Sequence, residues 1–289
     1  MTRPETSRTP AGERLGARST RAQLFRILQL GFVGLAVVVV LVPFLWVAAA
    51  SVKPAPALSA GPFEPFRPQL GWWSEVLASG VRASVVRSAV VGLATVGISV
   101  VAGSLGGYAI SRFGTGGKTL RFGVLSGQML PPAVLVIPLF LIAFQFGLND
   151  SLPAVIAAHL TFVLPLTTWF LIGFFDAVPR EYEEQARVDG YTRFQAFWKV
   201  VLPQVRPGIG AAAIFGFILS WNDLFYALIL AGGRARTLPV AIAGFNTFRG
   251  VELGEMSVAI LLSAVPVLIA SFFVQRRLIQ GLGAGGIKG

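Results

Sequence analysis

Six stretches of this sequence are long and apolar enough to cross a lipid bilayer, which leaves it very few folds. They run over residues 24–50, 84–110, 122–146, 153–175, 209–231 and 256–274. Each is near or above the roughly 20 residues that a helix needs to cross the hydrocarbon layer. Backbone polar groups inside lipid must be satisfied within the chain, so such runs become helices rather than open sheets. Only 13% of the residues are charged, against about a quarter in a soluble domain. The expected fold class is all-α: a polytopic membrane protein with six transmembrane helices.

Charge gives the orientation. The chain carries a formal net charge of +11, but the basic residues do not gather into the single patch that a nucleic-acid partner needs. With the N-terminus placed inside, 17 of the 24 Lys and Arg residues fall on inner segments, leaving Lys53, Arg67, Arg82, Arg87, Arg234, Arg236 and Arg249 outside. That asymmetry follows the positive-inside rule and puts both termini in the cytoplasm. There is no cysteine, so neither a disulfide nor thiolate chemistry is open to the chain.

Residues 1–23, rich in Arg, Ser, Thr, Gly and Pro, are expected to be a disordered cytoplasmic tail. The apolar run after them ends Ala48-Ala49-Ala50, which imitates a cleavage site, but it is too long for a signal-peptide core of about 7–15 residues and is expected to stay as the first helix. In the loop that follows, Trp72, Trp73, Val76 and Leu77 suit a short helix lying in the interface.

Between the fourth and fifth apolar runs lies a charged, amphipathic interruption, residues 176–208. Pro179 suits the start of a helix. Glu181, Glu183 and Glu184 put negative charge in its first turn, where the helix dipole favours it. Gly190 stands where a left-handed cap would end it. Thr192 and Gln195 form a Thr-x-x-Gln capping box for a second helix. Phe194, Phe197, Trp198, Val201 and Leu202 share one face of that helix, and Pro203 is expected to stop it. A well-capped helical pair set into a loop of a membrane protein is a docking element.

The same residues carry a resemblance. Glu184-Gln185-Ala186, Gly190 and Val200-x-Leu202-Pro203 resemble the E-A-A-x-x-x-G…I-x-L-P loop of ABC importer permeases, with the spacing kept and with Gln185 and Val200 as mild departures. Four further segments are similar to carbohydrate permeases of the maltose type. They are Tyr108-Ala109-x-x-Arg112, Trp221-Asn222-Asp223, Thr237-Leu238-Pro239-Val240 and the terminal stretch Gln275 to Gly289. Arg87-Ser88 departs from that group, which has Asn-Ser there.

The resemblance implies a permease subunit of the bacterial inner membrane that moves a sugar or oligosaccharide, with the six-helix domain at 24–275, the coupling loop at 176–208 and a cytoplasmic tail at 276–289. It implies an ATPase subunit dimer, a second homologous permease and an extracytoplasmic solute-binding protein as partners, beside membrane lipid. It assigns Glu184, Gln185, Ala186, Asp189, Gly190, Leu202 and Pro203 to the ATPase-coupling site. Ala186 is small there for close approach, and Phe194, Phe197 and Trp198 anchor the pair to the permease's own helices. The loop at 237–245 is the part that meets the binding protein in that group. ATP and Mg²⁺ belong to the partner ATPase, and this chain is expected to bind no cofactor and no metal and to catalyse nothing.

Several residues stay open between structure and function. Pro131, Pro132 and Pro138 in the third run break the backbone ladder, as a packing bend or as the wall of a path. Asn222 and Asp223, polar groups in an apolar run, either bond between helices or face the transported solute. His159, the one histidine, is expected to be a hydrogen-bonded structural group. Gly117-Lys118-Thr119 lacks the first glycine of a phosphate loop, and Gly281-x-Gly283-x-x-Gly286 follows no strand. Two alternatives remain: a permease for another solute, such as a polyol, a glycerol phosphate or a modified sugar, and a secondary transporter without an ATPase.

Overall fold

The computed structural model describes residues 11–61 and 64–285. In chain order they form α1 (Ala11–Ala50), α2 (Ala55–Ala60), α3 (Gly71–Ala78), α4 (Val81–Phe113), α5 (Gly117–Ser126), α6 (Pro132–Gln145) and α7 (Leu152–Ala177). These are followed by α8 (Glu181–Val188), α9 (Arg193–Ala196), a π-helical turn (Phe197–Val201), α10 (Leu202–Trp221), α11 (Phe225–Leu230) and α12 (Leu238–Ala243). A two-residue hairpin, β1 (Asn246–Thr247) with β2 (Gly250–Val251), precedes α13 (Leu253–Gly285). Five stretches among the described residues are long and apolar enough to cross a membrane: Phe25–Ala50, α4, α7, Arg193–Trp221 and Leu253–Phe273.

Three expectations change. The run at 122–146 is not one helix: it is α5 and α6, parted at Gly127–Pro131, because Pro131 and Pro132 cannot donate to the preceding turn. The run at 209–231 is likewise divided, and α10 ends at Trp221 before α11 begins at Phe225. The polar segment expected to be wholly disordered enters α1 at Ala11, while residues 1–10 lie outside the described residues. At the other end α13 continues through Gly285, within the segment 276–289 expected to be the cytoplasmic tail.

Helices α4, α7 and α10 pack against one another and form the centre. Their approach is close because small residues line the contacts. A Cβ on Gly208 of α10 would stand 2.4 Å from the Phe174 ring of α7, so no other residue fits there without displacing that ring. The apolar packing falls into three patches. One, around Tyr108, Phe175, Phe197 and Val201, lies at the end carrying α8 and α9. A second, around Val155, Ala158, Tyr226 and Leu230, lies towards the opposite end. The third joins α3 to α13 through Val76, Trp221, Leu238 and Val258, with Trp72 and Trp73 packed on it. The short helix expected in the interface is therefore docked on the protein. Helix α1 contacts α13 and leaves most of its apolar length exposed.

Candidate functional site

The segment 176–208 folds as its local chemistry dictates. Helix α8 carries Glu181, Glu183 and Glu184 in its first turn and Arg187 in its last. It ends in a Schellman motif: Tyr191 N–H donates to Ala186 O at 3.0 Å and Gly190 N–H to Arg187 O at 3.1 Å. That motif needs a left-handed residue, and Gly190 supplies it with φ +91°. The Thr192/Gln195 capping box then opens α9, with both of its reciprocal bonds formed.

Pro203 does not stop the second helix. The backbone passes through a π-helical turn, in which Leu202 N–H donates to Phe197 O, and continues as α10. Pro203 takes a place in the first turn of α10, where its missing N–H costs least. The short helix and the next long one are thus a single rod from Arg193 to Trp221.

A polar clamp ties this segment to the ends of α4, α5 and α7. Glu183 faces inward, buried. Its Oε1 accepts a hydrogen bond from Tyr108 Oη at 2.6 Å, and its Oε2 lies 3.5 Å from Arg112 Nε. Arg112, equally buried, donates through Nη2 to Val178 O at 2.9 Å and so fixes the turn before α8. Asp176 accepts from Ser111 Oγ at 2.5 Å and pairs with Arg121 Nη2 of α5 at 2.7 Å. Under the clamp, Tyr108, Phe175 and Phe197 stack edge to face or tilted with centroids 4.6–6.2 Å apart. Buried charge thus links α8 to α4, and continuous helix links α9 to α10.

The assigned residues divide between the two faces of the segment. Ala186 is buried beside Glu183 on the inner face, so its small size is explained by packing within the chain. Leu202 joins the apolar patch beneath the clamp, and Pro203 is half-buried. Glu184, Gln185, Asp189 and Gly190 are exposed on the outer face. Of the three aromatics expected to anchor the pair, only Phe197 is buried. Phe194 and Trp198 stand exposed with their rings edge to face. Trp198 borders a groove with Val100, Val101 and Leu105 of α4, whereas Val188, 87% exposed, stands on the outer face of α8.

Glu183 was not among the residues assigned from sequence. Its partner Tyr108 lies 75 positions away, and no local pattern connects them. The available signal was spacing, since Glu183 and Ala186 share one face of α8 while Glu184 does not.

Asn222 and Asp223 lie at the opposite end. His159 of α7 bridges there, with Nδ1 2.7 Å from Ser220 Oγ and Nε2 3.1 Å from Asp223 Oδ2. Asp223 Oδ2 also accepts Ala227 N–H at 3.2 Å and so caps α11. The histidine is thus a bonded structural group that holds the break between α10 and α11. Asn222 bonds to Ile218 O of its own helix and is exposed.

Between α6 and α7, Asp150 organises another part of this end. It adopts φ +49°, and its carboxylate accepts the backbone N–H groups of Gly233, Arg234 and Ala235. Burial pushes its pKa up, but the three N–H donors outweigh that and hold it below the usual carboxylate range. A depressed pKa stabilises the loop above the unfolded value and loses that support as pH falls through the folded value. Amide exchange at Gly233–Ala235, corrected for intrinsic rates, is expected to accelerate as acid protonates Asp150. Asp150→Asn is expected to show fast exchange with no such titration.

Residues 98–283 match the sequence pattern of the binding-protein-dependent transport system inner membrane component. The chain belongs to that family. The matched stretch contains the clamp, the capped segment 176–208, α10 to α12 and most of α13. Membership makes the chain a transport subunit rather than an enzyme and removes the secondary transporter from consideration.

Among relatives, the trehalose transport system permease protein SugB of Mycobacterium tuberculosis is 36% identical over 95% of this chain and 100% of its own length. The diacetylchitobiose uptake system permease protein DasC of Streptomyces coelicolor is 37% identical over 64% of this chain and 67% of its own length. A crystal structure of a bacterial ABC transporter that imports the acidic polysaccharide alginate matches with a TM-score of 0.71 at 20% identity, covering 94% of this chain and 99% of that one. At that identity the likeness speaks to fold.

Proposed function

We propose that this protein is one of two permease subunits of an ATP-driven importer and that it carries a sugar or oligosaccharide across the bacterial inner membrane. The observation that carries the reading is the segment 176–208: a capped helical pair with Glu184, Gln185, Val188 and Asp189 exposed on its outer face and a buried ionic clamp within. The saccharide class is supported by relatives named for trehalose and diacetylchitobiose transport. A modified sugar is the second reading, since a relative in Agrobacterium fabrum is named for sulfoquinovosyl glycerol transport.

In this account the chain crosses the membrane six times, by α1, α4, the broken pair α5–α6, α7, α10 and α13, with both termini in the cytoplasm. The ATPase dimer seats Glu184, Gln185, Asp189 and Gly190 together with Val188. ATP and Mg²⁺ stay on that dimer. When it closes, the segment moves as a lever, and the bundle switches between two packed states biased by differential binding. The solute, delivered by an extracytoplasmic binding protein, passes between this chain and a homologous permease.

Tagged protein purified from native membranes in mild detergent is expected to bring with it an ATPase, a second polytopic subunit and a solute-binding protein. Uptake is expected to depend on ATP and to survive collapse of the membrane potential. Recovery of the chain alone in several detergents, or uptake driven by the potential, would count against the reading.

A further inference from the structure

At the end opposite the docking segment, a cavity of about 370 Å³ opens between the start of α4, the loop 233–236, the end of α12 and Glu252. Its lining is basic. Arg87 and Arg236 face it, and Glu252, exposed, is its one acidic residue. Arg87 is half-buried and makes no hydrogen bond or ion pair among the described residues. Arg236 donates through Nη2 to Val240 O and Ala241 O, while its Nε is buried without a partner.

Ser79, Gly80 and Val81 bring the N-terminus of a 33-residue helix to the same wall. Apart from a 3.4 Å approach of Val81 N–H to Ser79 Oγ, no side chain caps it. Ser84, 1% exposed, also lines the cavity, and its hydroxyl has no partner among the described residues. Uncapped N–H groups, the positive end of a helix dipole and an unpaired guanidinium converge on one volume. That combination favours an anion.

We propose that this cavity binds a small oxyanion group, a carboxylate, sulfate or phosphate, carried by a free solute or by a lipid headgroup. Arg87 supplies the charge-assisted donors, Ser84 a hydroxyl and the start of α4 its N–H groups. The presence of Arg at position 87, where the maltose-type group has Asn, then has a physical role. The site stands whether or not the transport reading holds, since binding here is independent of uptake.

The test uses the purified full-length chain with its co-purifying subunits, titrated with sodium sulfate and sodium phosphate at constant ionic strength. Thermal stability is the readout. In micelles without phospholipid, the wild type is expected to be stabilised saturably. Arg87→Gln, a side chain with no partners to lose, is expected to keep its anion-free midpoint and to need at least about tenfold more anion. Arg87→Lys is expected to recover much of the response.

Repeating the titration in phosphatidylglycerol nanodiscs separates the sources: loss of the response there identifies a headgroup as occupant, and its persistence identifies a free solute. No saturable response in wild-type micelles, or an Arg87→Gln variant that responds like the wild type, would overturn the proposal.

Discussion

Glu183→Ala is expected to abolish uptake while the chain still inserts in the membrane. The substitution leaves Arg112, whose side chain is 5% exposed, as a buried charge without its carboxylate, and it strips the Tyr108 hydroxyl of its acceptor. Breaking a buried pair from one side costs about 3–5 kcal/mol, enough to detach α8 from α4. Two further variants grade the effect. Tyr108→Phe removes one hydrogen bond, worth about 1.5–3 kcal/mol when the acceptor is charged, and should leave partial uptake. Glu183→Gln keeps an acceptor for Tyr108 but loses the ion pair with Arg112, and should fall between them. Uptake by membranes matched for protein content, with trypsin accessibility at Arg180 and Arg187, measures all three. Normal uptake by Glu183→Ala would show that the clamp does not transmit motion.

The second large effect is at Gly190. A Cβ at this position meets no neighbour, since nothing lies within 4 Å of one built there. The left-handed backbone at φ +91° costs an L-residue about 1–2 kcal/mol, too little to unfold a helical bundle. Gly190→Trp is therefore expected to reach the membrane at normal abundance, yet to place an indole on the face offered to the ATPase and to abolish uptake. Gly190→Ala carries the same backbone strain without the bulk and is expected to retain partial uptake. Normal transport by the tryptophan variant would contradict docking at this turn.

What could be read in the sequence was local. The cap at Gly190, the box between Thr192 and Gln195 and the acidic first turn of α8 rest on residues within six positions of one another, and each forms as expected. The long helices followed from hydropathy. Their interruptions did not, because an apolar average runs straight across Gly127–Pro131, where prolines stop the helix, and across Asn222–Leu224, where the Asp223 side chain bonds to His159 and Ala227. Pro203 misled in the other direction: a π turn absorbs it. The clamp was hidden for another reason. Tyr108 and Arg112 were visible as part of a motif and Glu183 as helix-capping charge, but only the packing of α4 against α7 brings them together.

The central claim is that the outer face of α8 and α9 seats an ATPase. The chain contains no cysteine, so Val188→Cys introduces a single thiol at the most exposed apolar position of that face. Native membranes carrying this variant, treated with a short thiol-to-amine crosslinker, are expected to yield one adduct containing an ATP-hydrolysing subunit. Its amount should change between ATP-bound and nucleotide-free conditions. Leu148→Cys, at the opposite end, is expected to give no such adduct. An Val188→Cys chain that supports uptake but never crosslinks to an ATPase, under either condition, would contradict the account.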